Sequence, residues 1–132
     1  MPIERKLFAI VVWLGVIANF SFGVWAVFID PHSLVAFFKL GPLQSTIWLY
    51  NYSILLMILS LFYIPAAHDP DRYRANAWLL IVGRLLPAST FFVGVLLGFM
   101  PPGFASLGIG DSTFGILELI LLLRIIKRSG KR

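Results

Sequence analysis

Two residues of this chain stand where their chemistry is costly: Arg84 and Glu118, each inside a long apolar run. An isolated charge in hydrocarbon costs at least ~3 kcal/mol on insertion scales, so each needs a partner or a water-filled recess. Counted from Arg74 and back from Lys127, both fall about 13 to 15 Å from the same face of a bilayer if the runs are helices. The expectation is an intramembrane ion pair, Arg84 with Glu118, between adjacent antiparallel helices. Such a pair can fix helix register, bind a polar headgroup, a quinone or a proton, or meet another subunit.

Little other chemistry is available. There is no Cys, and the two His, His32 and His68, belong to opposite faces of the layer, ~30 Å apart. That spacing disfavours a bis-His haem, a thioether-attached haem or a zinc site. No Ser-His-Asp set, phosphate-cradling Gly-rich loop or His-x-x-Glu-His motif is present. The expectation is therefore a non-enzymatic chain with no catalytic residue, no metal and no cofactor.

The elements that must hold Arg84 and Glu118 follow from composition. Of 132 residues, 59% are hydrophobic and 13% charged, with mean hydropathy +0.89. A soluble domain carries ~25% charge, so an integral membrane protein is what remains. Four apolar stretches, at about 7–29, 47–67, 75–99 and 112–126, predict an all-α fold, a single four-helix transmembrane bundle. A span needs ~20 residues. The last stretch is short, and its Arg124, Lys127 and Arg128 must reach the headgroups on their long stems.

The net charge of +5 does not point to nucleic acid, because its positions read as topology signals. Nine of the eleven Lys and Arg lie before the first run, in the 68–74 connection, or at the C-terminal end. Positive residues gather on the cytoplasmic side. Both termini are expected there, in a bacterial inner membrane. The opposite connection, from Asp30 to Ser45, carries an apolar stretch between Pro31 and Pro42. It predicts a short interfacial helix capped by Ser33. The connection from Met100 to Asp111, with two Pro and three Gly, predicts an irregular loop, with Asp111 or Ser112 capping the last helix. Asp69 or Asp71 is expected to cap the third long helix.

Small residues recur at four-residue spacing: Gly15, Asn19 and Gly23 in the first run, and Thr90, Gly94 and Gly98 in the third. Inside lipid such stripes let backbones approach, so the first and third spans are expected to touch there. Asn19, Asn51, Ser53 and Thr90 either make interhelical hydrogen bonds or line a shallow cavity with Tyr50 and Tyr52. Pro87 removes a backbone donor close to Arg84.

The run Phe62-Tyr63-Ile64-Pro65-Ala66-Ala67, followed by His68-Asp69-Pro70, Arg72-Tyr73-Arg74 and Gly83-Arg84-Leu85, resembles small four-helix bacterial inner-membrane proteins of the DoxX-like kind. That grouping is associated with membrane redox complexes, including a quinone-linked sulfur oxidoreductase. The resemblance implies an accessory or anchoring role, and no catalytic residue of the family maps onto this chain. The leading functional expectation is a non-catalytic structural or anchoring subunit of a larger membrane complex, redox or energy-converting, in contact with lipids and other membrane subunits. The alternative is a small dimeric transporter, with Glu118 as its coupling carboxylate, or a protein binding a lipophilic ligand such as a quinone or lipid.

Overall fold

A computed structural model describes residues 2–131, and among these the regular structure is entirely helical. Helix α1 runs Ile3–Val24 and continues through a π-helical turn, Trp25–Ile29, into the short α2, Pro31–Phe38. Three further helices follow: α3 Ile47–His68, α4 Arg74–Leu96 and α5 Phe104–Ser129. The first apolar run with its π turn, α3 and α4 are each long and apolar enough to cross a membrane.

The four long helices alternate in direction. α1 packs on α3 and α5, and α4 packs on α5 and α3, which leaves α1 and α4 on a diagonal. Both chain ends and the α3–α4 turn share one end of the bundle. Asp71 of that turn pairs there with Arg5 and Arg74 and accepts from Ser129, while Arg128 donates to Glu4 at 2.6 Å. A buried, mainly apolar core fills this half, built on Phe8 and Val12 of α1, Tyr63 and Ala66 of α3, Leu80 of α4 and Leu122 of α5. At the other end α2 roofs the bundle, its Leu34 and Val35 packing with Ala26, Leu40 and Leu49.

Three local expectations change. The cap of α2 is Asp30, whose side chain accepts from the His32 amide at 3.0 Å. Ser33 instead lies in the first turn and accepts from the Trp25 indole at 2.8 Å. Asp30 wins because Pro31 at the first helical position fixes the start one residue after it. The start of α4 carries no side-chain cap; Asp69 accepts from the Arg72 amide within the turn, and Asp71 is drawn into ion pairs.

The largest difference is at α5, which begins at Phe104 rather than near Ser112. Asp111 and Ser112 are therefore inside the helix and cap nothing. Pro101 and Pro102 precede its first turn, where a missing N–H costs nothing. Glycine's poor helix propensity is overridden by packing. A Cβ at Gly108 would approach the Phe92 ring to 3.1 Å, so the glycine lets two helices close up.

Candidate functional site

The site is assembled on Arg84, which α4 sends into the centre of the bundle at 3% exposure. α5 receives it between two acids. Asp111 and Glu118 are seven residues apart, two turns on nearly the same helix face. Gly115 lies between them, and a Cβ there would meet Leu85 Cδ2 at 2.8 Å and Arg84 Cβ at 3.2 Å. The glycine lets α4 lie close enough for its arginine to reach both carboxylates.

Arg84 Nη1 donates to Asp111 Oδ1 at 3.2 Å and to Asn19 Oδ1 at 3.4 Å, and Nε stands 3.6 Å from Glu118 Oε1. The Glu118 contact is coulombic: neither Glu118 oxygen has a hydrogen-bond donor among the described residues. Nη2 presses on α1 at Gly15, where any Cβ would collide with it. Asn19 extends the network, donating to Ser60 Oγ at 2.8 Å, and Ser60 donates in turn to the Leu56 carbonyl. The rings of Phe114 and Tyr63 flank the guanidinium, 5.0 and 6.0 Å from centroid to Cζ. All four long helices thus contribute to one polar knot in an apolar bundle.

The two small-residue stripes do not meet. Gly15 and Asn19 face Arg84, and Gly23 receives the Met57 side chain from α3. Gly94 receives Met100 from beyond the end of its own helix. Thr90 is exposed and donates to the Leu86 carbonyl. Gly98 follows α4 at φ +76° with open space around it. The diagonal placement of α1 and α4 is the cause: Gly15, Gly23 and Gly94 each accommodate a long side chain instead of a facing backbone. Of the other polar residues, Asn51 donates to the Ile47 carbonyl and Ser53 is buried without a hydrogen-bond partner among the described residues. His32 sits in the first turn of α2, while His68 ends α3 edge-on to Trp13 at 6.2 Å.

On the α2 side of the knot lies a cavity of about 330 Å³. Arg84, Asn19 and Asp111 form its polar wall, and Phe22, Trp25 and Tyr52 are among its apolar lining. A second cavity of about 420 Å³, lined by Trp48, Leu49, Phe91 and Phe104 among others, shares Phe22, Tyr52 and Leu107 with the first. The shared residues set the two side by side; we call the pair the chamber, its first lobe polar-walled and its second apolar. Cavities of this size and lining suit small amphiphilic molecules.

Asp111 was expected to cap the last helix because a loop was expected through residue 111, and Phe114 and Gly115, inside the expected span, were not singled out. The seven-residue separation of Asp111 and Glu118, with a glycine between, was the available signal. No protein-family model, curated protein or solved structure matches this chain.

Proposed function

We propose that this chain is a four-span membrane protein that holds an amphiphilic small molecule, a quinone or a lipid, in the chamber between its helices. The observation that carries the reading is the chamber itself, whose charged lining among the described residues is the Arg84–Asp111 contact and whose remaining lining is largely aromatic and aliphatic. An internal cluster of charge is expensive in lipid, and residues of this kind commonly mark binding sites or ion pathways. The fourth span is α5, whose Ile109, Ile116, Ile120 and Leu123 present an exposed apolar face like those of the other long helices. Its terminal Lys127 and Arg128 join Arg5 and Arg74 at the end of the bundle that we assign to the cytoplasm of a bacterial cell, by the excess of positive charge there.

The chamber contains its own reporter. Replacing Trp13, Trp48 and Trp78 by Phe leaves Trp25, a lining residue, as the sole indole. A neutral bromine-bearing amphiphile added to this protein in lipid nanodiscs quenches Trp25 saturably, and Ala18→Phe, which fills the polar lobe, abolishes the saturable component. Quenching that is unaffected by the filled lobe defeats the proposal.

A second reading, an anchoring subunit of a larger membrane complex as the DoxX-like resemblance implies, has one observation in its favour. α4 exposes Trp78, Val82 and Leu86 along a shallow groove of about 380 Å³ that a helix of another subunit could enter. Under that reading Ser89→Trp, which blocks the groove, releases a co-purifying subunit while Trp25 quenching is retained.

A further inference from the structure

Resting on the ligand-binding reading, we infer that the chamber is selective for hydrophobic monocations, such as an organic ammonium or phosphonium ion, over anions of the same size. The argument begins with which charges face the cavity. Glu118 is completely buried and does not line it, Arg84 is 3% exposed, and Asp111 lines it with 21% of its side chain accessible. Two carboxylates share one guanidinium, so the cluster carries a formal surplus of one negative charge. Asp111 is its most accessible member, and it is the carboxylate that an occupant meets, beside the Arg84 it pairs with.

An anion would have to compete with two carboxylates for one guanidinium that already lies within 3.2 Å of Asp111 and 3.6 Å of Glu118. It would also bring a third negative charge into a site of low dielectric, where like charges repel strongly. A monocation meets the opposite situation. Oδ1 of Asp111 accepts from Arg84, and its other oxygen makes no hydrogen bond among the described residues. Facing the same space are the rings of Phe22, Trp25, Tyr52 and Phe114. Aromatic faces carry negative potential and hold desolvated cations. One acid with several rings around a cavity of about 330 Å³ is complementary to diffuse positive charge on an apolar body.

Tetraphenylphosphonium and tetraphenylborate test this directly, being matched in shape and opposite in charge. In nanodiscs of uncharged lipid, saturable perturbation of Trp25 fluorescence, scored as the part lost in Ala18→Phe, is expected for the phosphonium at concentrations at least about tenfold lower than for the borate. Asp111→Asn should weaken phosphonium binding by at least about tenfold and narrow the preference between the ions. Phe22→Leu should weaken it by a smaller factor without restoring borate binding. Should Asp111→Asn not assemble, the comparison of the two ions on the unaltered site and the Phe22→Leu variant still decide the matter. Equal binding of both ions, or a preference for the borate, overturns the inference. If the neutral brominated amphiphile still enters the chamber in that event, the ligand-binding reading stands alone; if no probe gives an Ala18-dependent signal, both fall.

Discussion

Below Arg84, toward the termini, the bundle is filled by Phe8, Val12, Tyr63, Leu80 and Leu122, each at most 1% exposed, and clasped at its end by the ion pairs of Asp71 and Glu4. Above Arg84, toward α2, the same four helices leave the two half-open cavities between them, and tight packing is confined to a small cluster under the roof helix. Arg84, Asp111 and Glu118 lie at the border. One half supplies cohesion and the other supplies space, as expected where stability is distributed unevenly and binding regions come from its low end. The polar knot belongs to both, because it joins the helices and also forms the floor of the chamber.

That division fails if the knot contributes nothing to cohesion. Arg84→Met removes the partner shared by two acids, and removing one member of a buried pair typically costs about 3–5 kcal/mol. Thermal unfolding in detergent should show the largest fall of any variant considered. Combining it with Glu118→Gln should recover part of the loss, since the uncompensated buried charge is then gone. A single variant that melts with the unaltered protein would make the knot a passenger.

The contrast between halves is sharpened by matched truncations. Leu122→Ala in the filled half leaves a cavity and should cost about 2–5 kcal/mol, whereas Leu107→Ala, on a wall that already faces empty space, should cost under about 1 kcal/mol. Equal losses would mean that the chamber half is as tightly packed as the other. Glycines give the same contrast on a smaller scale. Gly15→Ala forces the Arg84 guanidinium aside and should destabilise by about 1–3 kcal/mol. Gly110→Ala meets nothing within 4 Å and should stabilise α5 by up to about 1 kcal/mol through helix propensity.

The filled half was the more legible in the sequence. Apolar run length located the four long helices, and the spacing of Arg5, Arg74 and Lys127 marks their common end, because hydropathy and charge asymmetry are properties of whole segments. What escaped depends on single contacts. Gly108 reads as a loop-former on propensity alone, yet it is helical, and the Phe92 ring from α4 occupies the space its Cβ would take; Gly115, within the expected span, gave no sign that it admits Leu85 and Arg84. With α5 started too late, Asp111 appeared to be a cap, and the second acid beside Arg84 was lost from view. The glycine stripes misled in the opposite direction. Four-residue spacing shows that something approaches closely, but not whether it is a backbone or the end of an arginine or methionine.

The roof offers the smallest effect and the finest test of the comparison. Trp25 lies in the π-helical turn, where the Asp30 amide reaches back to the Trp25 carbonyl at 3.0 Å and the chain bends into α2. Its indole donates to Ser33 at 2.8 Å and lies 5.4 and 6.4 Å from the rings of Phe37 and Phe38. The hydrogen bond therefore ties the roof helix to a wall of the chamber. Ser33→Ala deletes it, but the site is only part-buried and water can replace the lost acceptor, so the cost should be about 0.5 kcal/mol. Because that loss falls on α2 and not on the filled half, the melting temperature should hardly move, while amide exchange over residues 32–38 accelerates and Trp25 emission shifts. Exchange that quickens equally in α1 and α3 would mean that roof and bundle open as one unit, and that the two halves are not independent in stability.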